Sequence, residues 1–136
     1  MSNVFAAIGR VQLQRFRNEF SPKRVHLARR YVEGLESVPN VHHLNLDYRA
    51  VVPHIFPIFI GHGKRDAVRT ALLDEGIECG VQYKPNHLLS LYGGGRVELP
   101  VAERLYRELL TLPLQVELTE SHQDRVLQVL KRGLSG

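Results

Sequence analysis

Apolar residues in the first third of the chain recur at helical intervals. Val4, Ile8, Val11 and Phe16 fall near one face with Ala7 and Leu13 beside them, which predicts an amphipathic helix over residues 3–20. Its small positions, Ala6, Ala7 and Gly9, let another element approach closely. Pro22 removes a backbone donor, so the helix either kinks there or restarts with Ser21 as its N-cap. It then runs to about residue 37, with Leu27, Tyr31 and Leu35 at spacing four as its buried edge, and Pro39-Asn40 closes it. The expectation is a long helix over 1–38 and a small α/β part over 39–136, within a single domain.

Beyond residue 40 helical spacing gives way to short apolar runs. Residues 41–46 and 54–60 predict strands, separated by a polar linker around Asp47-Tyr48-Arg49. The second run is almost wholly apolar and reads as a strand covered on both faces, with Pro57 placing its own amide position at an edge or a bulge. Gly61-His62-Gly63 predicts a turn, and residues 64–75 a helix with Ala67, Val68, Ala71 and Leu72 on its inner side. Gly76 supplies a left-handed helix stop, residues 77–83 a further strand, and Pro85 its end. Residues 99–110 and 119–134 predict two more helices. In the last one, Thr119 as cap, Glu120 and Asp124 in the first turn and Lys131-Arg132 in the last complement the helix dipole. The fold class is α/β or α+β, a small sheet flanked by helices.

Composition narrows the partners. The net charge of +4 comes largely from Arg15, Arg17, Lys23, Arg24, Arg29 and Arg30 in the first third. These follow a helical pattern interrupted by Val25, Leu27 and Ala28, and no aromatic-rich RNA-binding strand or zinc finger accompanies them, so a solvated helix face is favoured over nucleic-acid binding. The surplus still suits an anionic ligand such as a nucleotide or phosphate ester. No apolar run reaches membrane-spanning length, and the N-terminus lacks the basic-then-apolar pattern of a secretory signal, so a cytoplasmic site is the default expectation. The single cysteine, Cys79, forms no internal disulfide and is expected to pack as a small apolar residue.

Most of the candidate chemistry dissolves on inspection. His42 and His43 are adjacent in a strand and point to opposite faces, so they cannot jointly hold a metal ion, and no metal site is expected. His62 lies in a turn, and His26 and His122 among helix-surface residues. Gly93-Gly94-Gly95 resembles a phosphate-cradling loop but lacks the Gly-Lys-Ser/Thr helix start that such a loop needs. No nucleophile elbow is present, and no catalytic residue is assigned. What remains is the segment from Gly76 to His87. Val81 and Tyr83 share one strand face, and Pro85 turns the chain so that Lys84 and His87 approach the same rim. Tyr83, Lys84 and His87 are therefore the candidate binding residues. The competing reading buries Tyr83 with its hydroxyl tied to backbone and has His87 merely cap the following turn.

A family resemblance emerges from motifs in order along the chain. Ala6-Ala7-Ile8-Gly9 followed by Gln12-Leu13, then Arg29-Arg30-Tyr31, resembles the long helix that opens the C-terminal part of the DegT/DnrJ/EryC1/StrS nucleotide-sugar aminotransferases. His54, Arg65, Arg69, Leu73 and Gly76-Ile77 continue the match, followed by Tyr83-x-Pro85-x-His87, Tyr92, Leu99-Pro100-x-Ala102-Glu103, Leu112-Pro113-Leu114 and Leu118-Thr119.

The resemblance implies the small C-terminal domain of a fold-type-I enzyme that uses pyridoxal phosphate. Such an enzyme moves an amino group, typically from glutamate, to a nucleotide-linked keto sugar, although related dehydratases share the family. The large domain that holds the cofactor and supplies its lysine has no counterpart here. Lys23, Lys64, Lys84 and Lys131 all fall outside the region corresponding to that lysine, so no covalently held cofactor and no activity of the isolated chain are expected. The family's Gly-x-Asn-x-Arg segment would lie just before the first residues, so the chain reads as the C-terminal third of a larger enzyme. Within that enzyme Tyr83 and His87 are implied substrate contacts, whereas Lys84 is a candidate from its place in the turn alone. The Val4, Ala7, Ile8 and Val11 stripe is expected to make the chain a homo-oligomer through its first helix. The alternative is a non-catalytic binding or assembly module that retains the small-domain fold.

Overall fold

The computed structural model describes residues 2–135. Helix α1 (Asn3–Arg15) starts where the Ser2 hydroxyl accepts the Phe5 amide, and none of its residues is buried. A π turn, Phe16–Phe20, leads without a break into α2 (Ser21–Leu35). Pro22 lies in the first turn of α2, and the wider turn before it takes up the register change that a missing donor imposes. Ser21 is itself helical (φ −63°, ψ −53°), so α2 does not restart on a serine cap.

Three antiparallel strands, β1 (Val41–His43), β2 (Phe56–Ile60) and β3 (Leu109–Leu112), form a sheet in that order. The fold is α+β, a small sheet with helices packed on it. Phe56, Ile58 and Ile60 turn their side chains into the core, paired across with Leu112 and Leu110 on one side and with His43 and Val41 on the other. Over this face lie α2, α3 (Arg65–Asp74) and α5 (Glu120–Ser135), which contribute Leu27, Tyr31 and Leu35, Val68 and Leu72, and Val126, Val129 and Leu130 to one continuous core. Tyr31 stacks at 5.0 Å on Phe56, and burial pushes its phenol well above its ordinary range. Pro57 and Phe59, on the opposite face, are only half-buried, so β2 is not fully covered on both sides as its composition predicts.

The prolines explain the extent of the strands. β2 is central, which a proline inside it argues against, yet Thr111 opposite Pro57 spends both its amide and its carbonyl on Gly80 (2.7 and 3.2 Å). In an antiparallel ladder Pro57 must then face the β1 side, where β1 has already ended at His43 opposite Ile58. Pro57 thus occupies a local edge, and the predicted strand over 41–46 stops at His43 because its next partner lacks an amide.

Two further expectations change. The predicted helix over 99–110 is α4 (Pro100–Glu108), and the chain passes directly from it into β3. The predicted strand over 77–83 closes a single bridge, Gly80 opposite Thr111. The neighbouring positions on that edge of β3 are Leu109, whose carbonyl accepts from Arg65 Nη1 at 3.1 Å, and Pro113, which has no amide. The segment runs along β3 without pairing further.

Helix α5 is held from both sides. Its cap is as predicted, with the Thr119 hydroxyl accepting the His122 amide at 3.2 Å. Buried Gln123 donates to the Leu27 carbonyl at 2.8 Å, while His26 and Arg30 of α2 reach Glu120 and Asp124. On the other flank Glu75 takes both Arg132 and Arg125, which hold its carboxyl below the usual range. Closest approach occurs at two glycines. A Cβ on Gly133 would lie 3.1 Å from Val68 Cα, and one on Gly34 would run into the Leu127 side chain. Because the atom facing Gly133 is backbone, Gly133→Val is expected to destabilise the fold by about 2 kcal/mol, measured as a lower urea midpoint with unchanged slope; an unaltered midpoint would contradict the close packing of α3 on α5.

Candidate functional site

The candidate segment is positioned by α3. Its C-terminus closes on Gly76 (φ +69°), with the Gly76 and Ile77 amides donating to the carbonyls of Leu73 and Leu72, the left-handed stop that the sequence predicts. The chain then follows the edge of β3, with Ile77, Cys79 and Val81 packed against the core. Burial pushes the Cys79 thiol up, with Arg69 opposing weakly. A cleft of about 390 Å³, lined by Leu73, Glu78, Gln82, Thr111 and Pro113 among others, runs beside this stretch.

Tyr83 is 80% exposed, which excludes the reading in which its hydroxyl is buried against backbone. Lys84 is exposed as well. His87 differs. It lies in a short 3₁₀ turn, Asn86–Leu88, and only 11% of its side chain is open to solvent. Its Nε2 is 3.1 Å from Glu103 Oε1, and the same oxygen accepts the Leu99 amide at 3.1 Å where α4 begins. The Leu99 amide, and after it His87, hold the Glu103 carboxyl below the usual carboxylate range. Arg107 lies 4.0 Å from the other Glu103 oxygen. Within the described residues no hydrogen bond links Tyr83, Lys84 and His87 to one another; the turn at Pro85 sets two open side chains beside one anchored ring.

The glycine triplet is an internal brace. Gly93, Gly94 and Gly95 all have positive φ (107°, 59° and 88°), a conformation that favours glycine. Their amides donate to the carbonyls of Ser90, Leu89 and His87, so none of the three is left to cradle a phosphate. The last of these bonds, 2.8 Å, holds the backbone carbonyl of His87.

Residues that could serve a cofactor are also placed. Lys23, Lys84 and Lys131 are exposed and Lys64 is half-buried, whereas a Schiff-base lysine needs a desolvated setting. The chain's own residues therefore do not fit a covalently held pyridoxal phosphate. Among the described residues no cluster of three His, Cys, Asp or Glu is arranged to hold a metal ion, and no helix is long and apolar enough to cross a membrane. Glu103 is the site residue that composition and spacing did not single out. The available signal was a glutamate in the first turn of a helix that opens Leu99-Pro100.

A three-stranded sheet under α2, α3 and α5, with an extended helix ahead of it, is the architecture of a partial aminotransferase domain. Residues 1–131 match the model of the DegT/DnrJ/EryC1/StrS aminotransferase family, and the chain belongs to that family. It is 31% identical over 146 residues to the dTDP-3-amino-3,4,6-trideoxy-alpha-D-glucose transaminase of Micromonospora megalomicea subsp. nigra, covering all of this chain and 38% of that protein. Among solved structures, the aminotransferase TlmJ from Streptoalloteichus hindustanus superposes with a TM-score of 0.82 at 32% identity, over 96% of this chain and 35% of that one. The putative sugar aminotransferase Spr1654 from Streptococcus pneumoniae, in its PMP form, shares the fold with a TM-score of 0.88 at 24% identity, over 99% and 35%. The chain thus spans about a third of the length of these relatives.

Because the Tyr83 and Lys84 side chains are open to solvent and have no hydrogen-bond partner among the described residues, Tyr83→Ala and Lys84→Ala are each expected to leave stability within about 0.5 kcal/mol of the wild type by thermal melting. A larger loss would return these side chains to a structural role.

Proposed function

We propose that this chain is the substrate-facing small domain of a sugar aminotransferase that uses pyridoxal phosphate and moves an amino group, typically from glutamate, to a nucleotide-linked keto sugar in the cytoplasm. The observation that carries this reading is the family match along residues 1–131 in a chain that spans about a third of its relatives. The transaminase activity of the Micromonospora relative on a dTDP-amino sugar supports a dTDP-linked sugar as substrate. Tyr83 and Lys84 offer exposed hydrogen-bond donors, and His87, a few residues on, a largely enclosed imidazole, a set suited to the phosphate and sugar oxygens of such a ligand. The lysine and the cofactor chemistry belong to the remainder of the enzyme. Since that chemistry depends on holding cofactor, lysine and substrate together, the isolated chain is inactive.

The test uses dTDP-3-amino-3,4,6-trideoxy-α-D-glucose with 2-oxoglutarate, the amination run in reverse. The isolated chain is expected to show no turnover, whereas in the complete enzyme His87→Ala raises KM for the sugar nucleotide on the order of tenfold with melting temperature nearly unchanged. Turnover by the isolated chain, or a large drop in melting temperature with intact kinetics, would overturn the assignment.

The reading also accounts for α1. Val4, Ile8 and Val11 are between 50% and 68% exposed, an apolar face that the complete enzyme covers and that the isolated chain buries by self-association. Ile8→Asp is expected to shift the isolated chain toward monomer in light scattering, because the contact would desolvate a charge. A wild-type chain that is monomeric at high concentration would refute this.

A further inference from the structure

Glu103 is the one ionisable group among the described residues that hydrogen-bonds to a candidate ligand-binding side chain. Its carboxylate is held in the charged form by the Leu99 amide, and a charged carboxylate can only accept hydrogen bonds. The 3.1 Å contact between Glu103 Oε1 and His87 Nε2 therefore requires the proton on Nε2. His87 Nδ1 has no hydrogen-bond partner among the described residues, and the backbone of the same residue is pinned through its carbonyl to Gly95 at 2.8 Å. Ring and backbone are thus both fixed, one by α4 and the other by the glycine brace.

We infer that Glu103 is a positioning residue for ligand binding: it selects the Nε2–H form of His87 and so leaves Nδ1 as the nitrogen that meets the sugar nucleotide. The inference rests on the reading of His87 as a ligand contact. In the neutral ring Nδ1 accepts a hydrogen bond from a sugar hydroxyl, and in the protonated ring it donates to a phosphate oxygen. Either way the ligand meets a ring whose orientation is set before it arrives, which removes an ordering cost from binding. The charged groups around this pair are Glu103 and, on the same helix, Arg107 at 4.0 Å from the second carboxylate oxygen. That arginine draws on the oxygen His87 does not use and leaves the ring contact in place.

Two measurements test the inference. Nitrogen-15 NMR of the neutral imidazole in the 136-residue chain is expected to show His87 protonated at Nε2, and Glu103→Ala to convert it to a mixture of the two forms. Glu103→Gln, whose single side-chain oxygen can accept both the Leu99 amide and the ring proton as Oε1 does, is the conservative control and is expected to keep the Nε2–H form with a wild-type-like melt. A neutral ring protonated at Nδ1 in the unaltered chain overturns the inference without any variant.

In the complete enzyme, with the same dTDP-amino sugar, Glu103→Ala is expected to raise KM on the order of tenfold, Glu103→Gln to restore most of the loss, and Glu103→Ala to add nothing once His87 is alanine. If His87→Ala raises KM and Glu103→Ala does not, or if the two effects multiply, Glu103 does not act through His87 and only this inference falls. If His87→Ala leaves KM unchanged, the substrate-contact reading itself falls, and this inference with it.

Discussion

The seating of α5 between α2 and α3 is the constraint on which the rest of the molecule depends. Exposed ion pairs such as Arg30 with Asp124 contribute little on their own. Burying a side chain such as Val126, Val129 or Leu130 contributes about 1.5–3 kcal/mol, so close packing at Gly34 and Gly133 matters more than the charges along the helix flanks. The charges fix register. Gln123 tied to the Leu27 carbonyl and Glu75 shared between Arg125 and Arg132 define how far α5 slides against its neighbours. The consequences propagate outward. With α3 fixed, its Gly76 stop delivers the next segment along β3; that segment turns at Pro85 into His87, and His87 meets Glu103 at the start of α4.

How much of this was legible in the sequence depended on the physical origin of each feature. Helices α2, α3 and α5 were readable because their apolar periodicity agrees with their burial, helped in α3 by the Gly76 stop and in α5 by the Thr119 cap. The end of β1 at His43 was not, since it is set by a proline fourteen places away on the neighbouring strand, a pairing that no local pattern reveals. The strand over 77–83 failed for a similar reason. Its side chains suit a strand, but the partner edge offers one usable residue between a proline and a carbonyl already taken by Arg65. Leu109 and Leu110, the first half of β3, were absorbed into a predicted helix because Leu105 and Tyr106 continue the helical spacing into them. The bounding Pro113 was the available signal for a buried strand.

The candidate site shows the same division. Tyr83, Lys84 and His87 were readable as a polar group around a turn, whereas the carboxylate that orients the histidine comes from sixteen residues further along and was visible only as part of a family signature. Gly93 to Gly95 looked like a ligand loop by composition and proved to be structural once its amides were traced. The rim and the brace are built from this chain alone. No desolvated lysine is among the described residues; under the proposed function this chain shapes and orients, and another part of the enzyme reacts.

The most direct test of that division is chemical. The isolated chain would be incubated with pyridoxal phosphate, reduced with borohydride and mapped by peptide mass spectrometry. The account predicts sparse labelling spread over Lys23, Lys64, Lys84 and Lys131, in keeping with four lysines of which none is buried. Stoichiometric labelling at one lysine, Lys84 above all, would contradict it and place a cofactor site within this chain.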